Sequence, residues 1–357
     1  MKHSFIIGII LFILLTACRG GQPQVVPTGG DTLTMRYAEY LTMIEYESHT
    51  EVQIHSPWNR GHLLQTLQID NKHKHKALFF TTAHSSIIEE LGCTDAIAGI
   101  CETEYVANPR LRKALETGKI KDMGSAMTPD RERIANLAPD IIFVSPYENA
   151  STYGNLESLG VPIVQCADYM ETSALGRAEW VRLFGRFFGK GHEADSLFLA
   201  IEAEYRALQV LTDSLTQRPT VLFDTRSGSA WYVPGGRSTM AQLIADAGGK
   251  YIFADNVKSG SIPLSFESVL HHGEQADIWF LRYNNQTHIT LADLGSMYQP
   301  YTLFKAYRNN KVYGCNSADL LFHEETPFHP ERLLRDYISI LHPELLMSDT
   351  LRYYHKL

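Results

Sequence analysis

Two runs of alternating strand-like and helix-like segments, separated by one long helical block, constrain this chain more than any other feature. In the first run strands are expected at Ala77–Thr82, Ala96–Cys101, Ile141–Val144 and Pro162–Cys166. Helical patterns lie between them at Ser85–Leu91, Asn108–Thr117, Arg131–Leu137 and Asn155–Leu159, with breaks at Pro139-Asp140 and Gly160. The second run has strands at Val221–Asp224, Ile278–Arg282 and Lys311–Gly314. Its helices fall near Thr239–Ala247, Phe266–His271, Leu291–Met297, Thr302–Tyr307 and Pro330–Leu341. Strands that alternate with helices need crossover connections, and those build parallel sheets covered on both faces.

Between the runs, Glu171–Phe188 reads as one helix, Gly189-Lys190-Gly191 breaks it, and His192 to about Leu215 reads as a second. In the second, Ala194, Leu197, Phe198, Ile201, Tyr205, Leu208 and Leu211 recur at helical spacing, and Pro219 follows its end. A helix of about 23 residues is about 35 Å long, enough to join two lobes rigidly. The expected fold is therefore α/β: two Rossmann-like lobes with central parallel-rich sheets, joined by one long α-helix. Alternation from Met35 to His55 around Glu47-Ser48-His49 adds a small N-terminal β-hairpin.

Lys2 and His3 precede an unbroken apolar run, Phe5 to Leu15. Eleven helical residues span only about 16 Å, too short for a bilayer, so the run reads as an export signal. Leu15-Thr16-Ala17-Cys18 resembles the bacterial lipobox, which implies acylation of Cys18. The alternative is an ordinary cleaved signal with an incidental cysteine. Arg19 to Asp31 is rich in Gly, Gln, Pro and Thr and reads as a flexible tether. The expected segments are residues 1–17 signal peptide, 18–34 tether, 35–190 first lobe with its hairpin, 191–216 connecting helix and 217–357 second lobe. No later apolar run reaches the roughly 18 residues of a membrane span.

With 357 residues the chain has room for two cores of roughly 100–200 residues each. A net charge of −8 argues against a general nucleic-acid binder; the short basic run Lys72-His73-Lys74-His75-Lys76 reads as a solvated loop. Cys93, Cys101, Cys166 and Cys315 form no CxxC pair, so a zinc ribbon is not expected. An exported location permits a disulfide without requiring one.

The order lipobox, α/β lobe, long helix, α/β lobe resembles the helical-backbone (class III) periplasmic substrate-binding proteins of ABC transporters. Phe80-Thr81-Thr82-Ala83-His84-Ser85 with Glu90-Leu91-Gly92 resembles that family's first strand, ligand loop and helix, and Asp95 to Ile100 its second strand. Glu132-Arg133-Ile134 with Leu137-Ala138-Pro139-Asp140, and Ser265 to Leu270 with Ala276-Asp277-Ile278, resemble a segment the family repeats in both lobes. Leu159 to Ile163 resembles the strand before the link. Ala167 to Thr172 with Arg177 to Trp180 resembles a branch found in Bacteroides-type lipoproteins. The resemblance covers roughly residues 75–345. It implies a monomeric carrier, not an enzyme, that captures an iron complex such as a ferric siderophore and delivers it to an ABC permease dimer. Cobalamin, another corrinoid or haem is the alternative ligand. It also implies one permease-docking glutamate per lobe, at Glu132 and Glu267. No cofactor and no bound metal are expected.

Ligands of open α/β sheets sit beyond the carboxyl ends of the strands. That rule selects Thr82, His84, Ser85, Glu102, Tyr105, Ser145, Tyr147, Asp168 and Tyr169 from the first lobe, and Arg226, Trp231, Tyr232, Arg282 and Asn316 from the second. Aromatic faces suit a macrocycle or catecholate ring, and arginine forks suit carboxylates or phenolates. Any one of them has a plainer reading as a packed side chain or a surface ion pair. His84 could ligate metal with Glu102 and Asp168, or simply fill its lobe. A hydrolase lacks its usual signatures, since no G-x-S-x-G, P-loop or H-E-x-x-H occurs. A lipid-anchored sensor without ligand is a third class.

Overall fold

The computed structural model describes residues 30–70, 75–148, 153, 155–346 and 350–357. The signal segment, Cys18 and most of the tether lie outside the described residues, as do Lys72, His73 and Lys74.

Four short strands come first among the described residues: β1 (Asp31–Leu33), β2 (Leu41–Glu45), β3 (His49–His55) and β4 (Leu63–Asp70). They form one antiparallel meander in sequence order. The expected hairpin is the β2–β3 pair of a larger sheet. β1 lies inside the stretch expected to be tether, because Asp31–Leu33 finds a partner edge in Met43–Glu45. Strict alternation buries Leu41, Met43, Val52 and Ile54 on one face. The link from β1 to β2 is held by two buried carboxylates. Glu179 accepts the backbone N–H groups of Arg36, Tyr37 and Ala38. Glu171 accepts those of Glu39 and Tyr40 and the indole N–H of Trp180.

The first lobe contains β5 (Ala77–Phe79), α1 (Thr82–Glu90), β6 (Ile97–Ile100), α2 (Pro109–Glu116), β7 (Lys121–Asp122), α3 (Arg131–Leu137), β8 (Ile141–Val144) and β9 (Ile163–Gln165). Its sheet is parallel throughout, in the order β7-β6-β5-β8-β9. Both faces are covered: Ala77 and Phe79 enter one core and Leu78 and Phe80 the other. The helices start where the sequence supplies caps. Thr81 accepts from His84 N, Asn108 from Arg110 N and Leu111 N ahead of Pro109, and Asp130 from Glu132 N and Arg133 N.

The expected single helix Glu171–Phe188 is two, α4 (Ala174–Glu179) and α5 (Val181–Phe187). Ser173 caps the first at Gly176 N, so residues 171–173 stay outside it. A tight turn at Trp180 separates the two and buries its indole completely. Then α6 (Gly191–Thr212) runs unbroken for 22 residues. Its buried stripe is Ala194, Phe198, Ile201, Tyr205 and Leu208, while Leu211 is exposed. α6 packs on α5.

The second lobe begins with β10 (Thr220–Phe223), β11 (Arg226–Ser227), β12 (Ala230–Pro234), α7 (Thr239–Asp246), β13 (Lys250–Tyr251) and β14 (Ser261–Leu264). It continues with α8 (Phe266–Gly273), β15 (Ile278–Tyr283), α9 (Leu291–Met297), α10 (Lys305–Arg308), β16 (Val312–Asn316), α11 (Phe322–Glu325), α12 (Pro330–Leu341) and β17 (His355–Lys356). The main sheet runs β13-β10-β15-β16-β17, with only the last strand antiparallel. A separate antiparallel sheet, β11-β12-β14, lies beside it. α12 packs on α6 from the second lobe, and α11 reaches across to α1 of the first. In each lobe the strand order reverses beside the first strand, between β5 and β8 and between β10 and β15. Those reversals are the topological switch points at which open sheets leave a crevice.

Candidate ligand site between the lobes

β9 leads into the turn that carries Asp168, one of the most deeply buried carboxylates in the chain. Asp168 Oδ1 lies 3.0 Å from His84 Nε2, and Oδ2 accepts from Arg177 Nε at 3.1 Å. Burial raises its pKa, but His84 and Arg177 outweigh that and hold the carboxyl below its ordinary range. His84 packs against the rings of Phe184 and Phe328, and its Nδ1 has no hydrogen-bond partner. It is packed where Phe328 of the second lobe meets the first, and it orients Asp168. The aspartate in turn fixes Arg177 on α4.

The second lobe repeats the device. Asp224, just past β10, sits in the left-handed backbone region at φ 58°, where an aspartate is tolerated better than most residues. Its carboxylate receives both forks of Arg282, from Nε at 3.0 Å and from the terminal nitrogen at 2.5 Å. Arg282, one residue before the end of β15, lies over the Phe322 ring at 5.9 Å. Beside it stands His323, the next residue of α11. His323 faces the cleft, where crowding by protein atoms, then Arg282 and Arg177, hold its imidazole below the ordinary value, so it is neutral at pH 7.

Arg177 from the first lobe and Arg282 with His323 from the second line one cavity of about 180 Å³. Ala174, Met240 and Leu243 form its apolar wall. Two guanidinium groups and a neutral imidazole meet there, and each guanidinium is already oriented by an aspartate. Such a pocket accepts a carboxylate, phenolate or similar anionic arm.

Residues 80–318 match the periplasmic binding protein family. The chain belongs to that family. An uncharacterized lipoprotein of Methanocaldococcus jannaschii, MJ0878, is 30% identical over 237 residues, which is 66% of this chain and 55% of that protein. The chain thus spans about half the length of that relative. The petrobactin-binding protein YclQ of Bacillus subtilis is 22% identical over 228 residues, 63% of this chain and 65% of YclQ. Among solved structures, the periplasmic heme-binding protein RhuT from Roseiflexus in apo form superposes with a TM-score of 0.62 at 20% identity. It covers 76% of this chain and all of its own. The β1–β4 sheet precedes the matched region.

In this binding protein the remaining expected site residues divide by burial. Tyr105, Tyr147, Tyr169 and Tyr232 are exposed at strand ends or on β12, and the Tyr169 hydroxyl donates to the Pro146 carbonyl. Ser145 is half-buried beside them. Trp231 contradicts the expectation of a ligand platform. It alternates with exposed Tyr232, so it points inward, is fully buried among Trp279, Tyr301 and Phe304, and donates to the Phe223 carbonyl. Asn316 is also a correction: it is fully buried and clamps a loop through Asn285 and Asp319. Thr82 and Ser85 are buried in the first turns of α1, where Ser85 Oγ donates to the Thr82 carbonyl. Glu102, just past β6, ties down the loop that follows β7 by accepting from Ser125 Oγ and Ala126 N. Arg226 lies over the Tyr298 ring at 4.4 Å and bonds Gly228 O, away from Arg282's cavity.

Sequence reasoning missed Arg177, Asp224 and His323 as site residues. Asp224 ends a recognisable strand and could have been selected with its neighbours. Arg177 and His323 sit on short helices and reach the cavity only through the packing of the two lobes. Glu132 and Glu267 are exposed, each in the first turn of a helix, α3 or α8, behind a side-chain cap from Asp130 or Ser265. The four cysteines Cys93, Cys101, Cys166 and Cys315 are free thiols. Among the described residues, no group of three or more His, Cys, Asp or Glu side chains could hold a metal ion, and no helix is long and apolar enough to cross a membrane.

Proposed function

We propose that this binding protein captures an anionic iron chelate, such as a ferric siderophore, between its lobes and delivers it to the permease of an ABC importer. The observation that carries the reading is the pair Arg177 and Arg282. They come from opposite lobes, line one cavity and are each preset by a buried or half-buried aspartate. The space of about 180 Å³ suits one anionic arm, with the bulk of the chelate outside it; Tyr105, Tyr147, Tyr169 and Tyr232 offer exposed aromatic faces for that bulk. The relatives YclQ, a petrobactin-binding protein, and RhuT, a heme-binding protein, support this class of ligand. Haem or a corrinoid is the second reading, favoured by those same exposed aromatic faces.

The carrier acts as a monomer. It is held to the cell envelope by acyl chains on Cys18 and meets one permease subunit with Glu132 and the other with Glu267. These two glutamates occupy the same place in both lobes, since α3 and α8 each precede the strand that borders the switch point. The test of the ligand is incubation with haem, with cobalamin and with a ferric catecholate in turn, followed by desalting and an absorbance spectrum. Co-elution of the ferric catecholate supports the reading. Co-elution of cobalamin alone overturns it.

A further inference from the structure

A second group of charges joins the lobes, outside the ligand cavity. His329, in the link between α11 and α12, is almost wholly buried. Its Nε2 lies 2.7 Å from Glu90 Oε2, on the last residue of α1 in the first lobe. Its Nδ1 lies 2.9 Å from Glu331 Oε1, in the first turn of α12 in the second lobe. A neutral imidazole has one N–H and one bare nitrogen. It could satisfy one of these carboxylates but would turn a lone pair toward the other. With Glu90 and Glu331 both ionised and so acceptors only, both contacts are hydrogen bonds only if both nitrogens carry protons.

The surrounding charges require the same state. Glu90 from α1, Glu325 from α11 and Glu331 from α12 supply three carboxylates. Arg332 from α12 reaches Glu325 at 3.2 Å, Glu331 at 3.6 Å and Glu90 at 3.7 Å. Arg352 from the C-terminal tail pairs with Glu325 at 2.6 Å, and Tyr353 donates to the same carboxylate. Two guanidinium groups leave one negative charge over, and an imidazolium at His329 cancels it.

We propose that His329 is a proton-held latch between the lobes: its imidazolium bridges Glu90 and Glu331, and loss of the proton frees the end of α1 from the second lobe. This device is separate from the ligand reading and needs no ligand to be tested. Burial by itself lowers the imidazole, but the bonds to Glu331 and Glu90 outweigh it and raise its pKa above the ordinary 6.5. A raised folded value means that the stabilisation is complete below about 6.5 and is lost as pH climbs through the folded value.

The test is a ring-nitrogen NMR titration of the full chain labelled with ¹⁵N-histidine, with the His329 signals identified as those lost in His329→Gln. At pH 7 both ring nitrogens should be of the protonated type. Glu90→Gln, on a partly exposed side chain that tolerates the change, should lower the midpoint by about one pH unit, a tenfold loss of proton affinity. Amide protection at Leu91, Gly92 and Cys93, corrected for the base-catalysed rise of intrinsic exchange with pH, should fall on the order of tenfold when the latch opens, the equivalent of a loss of about 1.4 kcal/mol. A single neutral tautomer at pH 7, a midpoint unmoved in Glu90→Gln, or α1 exchange indifferent to the titration would each overturn the latch. If His329→Gln does not fold, Glu90→Gln and the exchange measurement still decide.

Discussion

Arg177 and Arg282 belong to different lobes, yet both line one cavity and each rests on an aspartate, Asp168 in one case and Asp224 in the other. The aspartates keep the guanidinium groups from folding back onto the protein surface, so less freedom is lost when an anion arrives. The two sides differ in burial. Asp168 is sealed inside the first lobe with His84 behind it, while Asp224 stays partly open to the cleft.

That burial sets the first prediction. Asp168→Asn removes one partner of a buried ionic group and leaves Arg177 and His84 facing an amide. Such losses cost about 3–5 kcal/mol, to be read by urea denaturation at pH 7. Because the folded Asp168 titrates below its ordinary 3.8, its contribution is present above that value and disappears as pH falls through the lower folded one. The gap between wild type and variant should therefore narrow below about pH 4. A gap of constant size down to pH 2.5 would contradict the assignment.

Much of the fold was legible because its signals are local. Thr81, Asn108-Pro109, Asp130 and the Thr290–Asp293 capping box mark helix starts that a reader of sequence can find. The core strands β8 and β15 announce themselves as short apolar runs covered on both faces. The Trp180 break between α4 and α5 was not legible, since neither glycine nor proline marks it. Trp231 was misjudged because its alternation partner, Tyr232, is equally aromatic, and only the sheet's orientation says which faces inward. His323 and Arg177 carry no local signature, because their meaning arises from two lobes closing on one space.

The C-terminal tail gives the second prediction. Tyr353 and Tyr354 are buried, Asp336 accepts the backbone N–H groups of Arg352, Tyr353 and Tyr354, and β17 pairs with the edge of β16. Tyr354→Ala empties a site against Phe280 and Tyr337 and should cost about 3–5 kcal/mol. Chemical denaturation checks this. A loss under about 1 kcal/mol would mean that the tail is loosely held.

Docking is tested separately from capture. Changing Glu132 and Glu267 together to Ala should abolish uptake in cells while leaving ligand affinity and melting temperature where they were. Both side chains are exposed at helix starts, so the cost to stability should stay within about 0.5 kcal/mol. Reversal to Lys should be more damaging to uptake, since it sets like charges against the partner. Normal uptake by the double Ala variant would reduce both residues to helix-terminus charges.

The central claim is that the two arginines together hold an anionic chelate. Its most direct test is tryptophan-fluorescence titration of the wild-type chain and of the Arg177→Ala/Arg282→Ala double variant with a ferric tris-catecholate, at low and at physiological salt. Loss of two charge-assisted contacts at about 1.5–3 kcal/mol each predicts binding weaker by at least a hundredfold in the double variant, with the fold unchanged by circular dichroism. Equal affinity of the two proteins for the chelate would contradict it.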